Sequence, residues 1–182
     1  MRNATHELVG VSLALAAAQA LDVGPLESAG LAAAALWGSR LPDLDQPGSR
    51  VHRRSPLERR SLLFAAAGAV LRLPMYAFAA LVPHRTVTHS ALGCAVAGGL
   101  ASLLAYPAGA GLALMVGAGV AIGYAAHVAA DACTPGGVCL WAPISQERVW
   151  LLPPRARIPT GSLREVALAA MVAAALAVTL IA

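Results

Sequence analysis

Gly109 to Asp131 is a long apolar run that meets its first ionisable side chains only at its end, where His127 and Asp131 stand four residues apart. On a helix, residues i and i+4 share one face, one turn above the other. An imidazole and a carboxylate inside an apolar helix are costly in lipid, so they turn toward a partner, a cavity or an ion. The pair therefore reads as two ligands of a metal site whose remaining ligands lie elsewhere in the chain. Composition agrees with the lipid setting: of 182 residues, 58% are hydrophobic and only 12% charged, against roughly 25% charged in soluble domains. Ala, Leu, Val and Gly dominate, and small residues let transmembrane helices pack closely.

Other apolar segments cover 8–21, 26–37, 61–82, 90–105 and 163–182. The reading is an all-α, polytopic transmembrane bundle of about five to six apolar helices. It forms a single membrane-embedded domain over 1–182, with a site-bearing core at about 4–143 and a C-terminal transmembrane helix at 163–182. The segments at 8–21 and 26–37 are shorter than the ~20 residues of a full span and are expected to be short or tilted.

All thirteen basic residues are Arg. They concentrate in loops, six of them within 38–60, so membrane orientation explains the formal charge of +4 better than nucleic-acid binding, and no direct nucleic-acid partner is expected. Positive loops stay cytoplasmic. That places the N-terminus and the loops 38–60 and 134–162 on the cytoplasmic side of the membrane. A single crossing by 61–82 would carry the following His84 to His89 to the far side. The segment is therefore expected to enter and return, or to lie along the interface, with its bend at Arg72-Leu73-Pro74. A single crossing is the alternative. No cleavable signal peptide stands out. Cys94 reads as core, and Cys133 and Cys139 as small buried hydrophobes near the site.

The metal-ligand candidates gather on the polar side. They are His6, Asp43, His84, His89, His127 and Asp131, with Asp45 close by. His52 lies among Arg50, Arg53 and Arg54 and reads as solvated loop. Each part has a plain alternative: a surface His6, a turn at Pro42–Asp45, a helix cap at Thr88 or Ser90, an internal His127–Asp131 hydrogen bond. Together they exceed the four to six ligands of one ion and suit two ions bridged by a carboxylate. Mixed imidazole and carboxylate ligation fits Zn, Mn or Fe.

The blocks Thr5-His6, Leu41-Pro42-Asp43-Leu44-Asp45, His84-Arg85-x-x-Thr88-His89-Ser90 and Gly123-Tyr124-x-x-His127-x-x-x-Asp131-x-x-Thr134-Pro135-x-Gly137 resemble those of the inner-membrane-bound metal-dependent hydrolases. That family is also described as LexA-binding and inner-membrane-associated. The resemblance covers about 4 to 143, with Trp141-Ala142-Pro143 at its end, and the segment 61–82 departs from it as a long insert. A more distant likeness is to zinc-dependent phospholipase C and P1-type nucleases. The resemblance implies a metal-dependent hydrolase, a phosphoester or similar ester as substrate, and two divalent ions, zinc first. In that reading Asp45 completes the ligand set or orients the attacking water as a base, and Arg85 clamps a phosphate or developing oxyanion, or else anchors at the membrane interface or pairs with Asp43 or Asp45. Thr88, Ser90 and Thr134 hold ligands in place, and Arg40 steadies Asp43. A site at the membrane rim suits an amphiphilic substrate whose tails stay among the membrane lipids. The alternative is a non-catalytic metal-binding adaptor whose Arg-rich loops dock a soluble regulatory protein. A transporter fits worst, since no ionisable residues mark the other half of a path.

Overall fold

The computed structural model describes residues 1–46, 49, 52–53 and 55–181. Their regular structure is helical: α1 (Asn3–Ala20), α2 (Pro25–Gly38), α3 (Pro56–Arg60), α4 (Leu62–Leu81), α5 (Ala91–Ala105), α6 (Ala110–Ala132) and α7 (Leu163–Ile181), with short 3₁₀ turns at Leu41–Asp45 and Val87–His89. Among the described residues the only β pairing is one antiparallel bridge, Val138 to Val149. The all-α expectation holds.

The central helix is α6, which packs against α1, α2 and α5, while α7 lies on α1. Its interfaces are built from small residues. A Cβ on Gly123 would stand 1.9 Å from the Ala35 carbonyl oxygen of α2, and one on Gly38 would stand 2.2 Å from the Val120 oxygen of α6. The two backbones therefore touch directly, the close approach that small residues permit in membrane helices. Ala14, Ala18, Leu31 and Ala35 fill the space beside this contact, with Met115 and Ile122 packed on them. A second cluster, Tyr124, Val128, Ala132 and Val138, joins α6 to the segment that follows it.

Among the described residues, three helical stretches are long and apolar enough to cross a bilayer: Leu62–Leu81, Ala91–Ala108 and Ala110–Ala132. Among the described residues that count is lower than the expected five to six apolar helices. The 14 residues of α2 reach about 21 Å, short of the ~30 Å hydrocarbon core. In α1 the first two turns carry His6 and Glu7. The returning hairpin expected at 61–82 is not formed. The segment is one helix of 20 residues that runs through Arg72 and Pro74. What made Arg72 look like a bend is an ion pair: its guanidinium lies 2.7 Å from Glu58 of α3, with both side chains largely buried.

The start of α1, the end of α2, the start of α5 and the end of α6 meet at one end of the bundle. The chain between α6 and α7 folds over that end, where Cys139 N–H donates to the Arg85 carbonyl and Ala91 N–H donates to the Leu140 carbonyl.

Candidate metal centre

The six sequence-predicted ligands arrive at this end on five pieces of chain. His6 sits early in α1, Asp43 in the Leu41–Asp45 turn, His84 in the link after α4, His89 in the Val87–His89 turn, and His127 and Asp131 in the last two turns of α6. His6, His89, His127 and Asp131 are at most 2% exposed, and Asp43 is 7% exposed. His84 remains exposed at the edge.

Asp131 is the hub. One carboxylate oxygen lies 3.4 Å from His6 Nε2. The other lies 3.5 Å from His89 Nε2 and 3.9 Å from His127 Nε2. Asp43 Oδ1 faces the same two imidazoles, 3.6 Å from His127 Nε2 and 4.0 Å from His89 Nε2. The His6 and His127 rings stack at 3.7 Å, and His89 stands edge-on to both His84 and His127.

These separations are long for hydrogen bonds. The buried nitrogens His6 Nδ1, His89 Nε2 and His127 Nε2 have no hydrogen-bond partner at all. Orphaned buried groups are rare and call for an explanation. His127 supplies one. Its Nδ1 lies 2.6 Å from the Ser39 carbonyl oxygen, an acceptor only, so Nδ1 carries the proton. The lone pair is therefore on Nε2, aimed at Asp43 and Asp131, as in metal-ligating histidines whose other nitrogen donates to a carbonyl. Two groups have ligand atoms close enough to share an ion: His6, His127 and Asp131, and Asp43, His84 and His89. The donor set fits divalent Zn, Mn or Fe.

The supporting residues divide. Asp45 has both oxygens engaged, one 2.8 Å from His84 Nδ1 and the other accepting from the Thr88 hydroxyl. Thr88 in turn accepts the Tyr124 hydroxyl at its carbonyl. Thr134 bonds the Asp131 carbonyl and accepts from Arg85. Arg85 does not pair with Asp43 or Asp45. Its Nη2 lies 3.0 Å from Asp131 Oδ2, and its backbone takes φ of 63°, a left-handed conformation unusual outside glycine. Arg40 does not reach Asp43 either. It pairs with Glu7 of α1 at 2.9 Å. Ser90 caps α5, accepting from Gly93 N–H and donating to the Val87 carbonyl. It thereby fixes the turn that carries His89 instead of touching a ligand. Burial pushes the Asp43 carboxyl up, against the opposing pull of His89 and His6.

Three features lay outside the sequence reading. Glu165 of α7 is 1% exposed and accepts from Arg2 N–H, the Thr5 hydroxyl and Gly161 N–H. It holds the start of α1, and so His6, in place. Its signal was an acid at the head of an apolar helix. The Met1 nitrogen lies 2.7 Å from Asp131, a contact without a sequence signature. His52, expected in solvent, is buried. Its Nε2 meets the Leu44 carbonyl at 3.0 Å and its ring packs on Tyr76, which ties the Leu41–Asp45 turn to α4. Arg53 is exposed, and Arg50 and Arg54 lie outside the described residues. Cys139 donates to the Gln146 carbonyl and takes no part in the centre.

A helical bundle with long apolar helices and a buried His/Asp cluster at one end defines a membrane protein with a candidate metal centre. The chain belongs to the YdjM inner membrane protein family, whose model matches residues 1–182. No curated protein and no solved structure matches it.

Proposed function

We propose that the protein is a multi-pass, membrane-bound, metal-dependent hydrolase whose centre faces the cytoplasm. Its substrate would be a phosphoester or similar ester carried on an amphiphile. The observation that carries this reading is the convergence of unpartnered imidazole nitrogens on Asp43 and Asp131, with the His127 tautomer fixed by Ser39. The two groups His6–His127–Asp131 and Asp43–His84–His89 would hold two divalent ions, zinc foremost and Mn or Fe as alternatives. Bound there, such ions would supply Lewis acidity and hydroxide at neutral pH.

The remaining work falls to the protein. Asp45 steadies His84 and, when a water enters beside it, is the base that can take its proton. Arg85 offers a planar fork to two oxygens of a phosphoryl group and stabilises the charge developing there. In hydrolysis the water oxygen bonds to phosphorus, the ester oxygen leaves with its electron pair, and a proton neutralises the leaving alkoxide. Thr134 and Asp131 hold the guanidinium at the rim until substrate competes for it.

The test is metal analysis of purified protein together with turnover on a panel of soluble and lipid phosphate esters. His127→Ala and Asp43→Ala should lose bound metal and activity together. Full metal content in both variants would reject the reading. A protein that binds metal, hydrolyses nothing and captures a soluble partner through its loop Arg residues would instead be an adaptor.

A further inference from the structure

A cleft of about 570 Å³ runs along α5 beside the centre, walled by Leu41, Leu44, Leu92, Val96, Leu100 and Leu104, with Thr88 and Tyr124 at its inner end. Its only polar side chains are already committed, since the Thr88 hydroxyl donates to Asp45 and the Tyr124 hydroxyl donates to the Thr88 carbonyl. The wall therefore offers nothing to water. The inner end belongs to the centre itself. Leu44 stands between Asp43 and Asp45, and Thr88 directly precedes His89. From Leu92 to Leu104 is twelve residues of helix, about 18 Å, close to the ~15 Å depth of one leaflet's hydrocarbon. The helix is one of those long and apolar enough to cross the membrane.

The geometry points to an acyl-chain site: the cleft holds one hydrocarbon tail of a membrane lipid whose phosphoester headgroup lies at the His/Asp centre. This rests on the hydrolase reading and narrows its substrate to lipids of the leaflet on the centre's own side. An apolar cleft with Leu44 and Thr88 in its lining, next in sequence to Asp43, Asp45 and His89, matches an amphiphile in both shape and polarity. A free phosphate ester would leave the cleft unfilled.

The experiment uses whole protein in mixed micelles and phosphatidic acid with a photoactivatable group in its acyl chain. Cross-links are mapped by mass spectrometry. Labelling at Val96 and Leu100 should saturate and be competed by unlabelled phosphatidic acid. Labelling at Leu103, which does not line the cleft, should not saturate. Val96→Trp should cut the saturable labelling about tenfold, equivalent to ~1.4 kcal/mol, and spare turnover of a short-chain ester. Leu103→Trp should change neither. Saturable labelling without any turnover would retain the site and reject the hydrolase reading. Turnover of soluble esters with no saturable labelling would do the reverse. Cross-linking of the cleft to a second copy of the chain would also overturn the proposal.

Discussion

Replacing Gly123 by Ala tests how the bundle builds its centre. The new Cβ would stand 1.9 Å from the Ala35 carbonyl oxygen and 2.7 Å from its carbon. Both are backbone atoms, so no side-chain rotation relieves the clash. Ordinary contact requires α6 and α2 to separate by about 1.5 Å. His127 lies one turn further along α6, and its 2.6 Å contact with the Ser39 carbonyl of α2 would stretch beyond hydrogen-bonding range. Overpacking costs about 1–3 kcal/mol, and the broken hydrogen bond adds about 1 kcal/mol. For a chain of this size that is a fall in Tm of roughly 5–15 °C. Metal sites tolerate ligand errors of only about 0.2 Å, so metal content should drop with it. The assay is thermal unfolding in detergent alongside metal analysis. Gly99→Ala is the control, since a Cβ there meets nothing within 4 Å. A Gly123→Ala protein with unchanged Tm and full metal content would refute the reasoning.

Glu165→Ala should leave two donors at the start of α1 and one at Gly161 without their acceptor and lower stability by about 2 kcal/mol or more, while Glu165→Gln, which keeps an acceptor, loses less; the comparison is read as Tm. Asp45→Asn should weaken activity far more than metal content, because Asp45 bonds His84 and Thr88 and is absent from both candidate ligand groups; equal losses would place it among the ligands. Arg85→Lys should raise KM for phosphate esters, since an ammonium cannot reproduce the planar fork, and an unchanged KM would remove Arg85 from substrate contact. Metal binding should weaken as pH falls through the range in which Asp43 takes up its proton. Burial raises that range above the ordinary carboxylate's, and proton and metal compete for the same oxygen. Metal retention titrated from pH 7 downward checks this.

The sequence by itself determined the helical class and the ligand inventory. Apolar runs of helical length can satisfy their backbone in lipid only as helices. Ionisable residues stand out against such a background, so His6, Asp43, His84, His89, His127 and Asp131 could be named before any coordinates. Only the tertiary structure decided which atoms face each other. Arg85 turned to Asp131 and Arg40 to Glu7, choices made by backbone conformation and reach between elements distant in sequence. His52 and Glu165 were misread or unseen for the same reason: burial depends on what packs over a residue, and that cover came from α4 and α1. The His127–Asp131 pair announced a site from one helix. Direct contact of α6 with α2 at Gly123 and Gly38 is what fixed the His127 tautomer and turned the pair into a wall of that site.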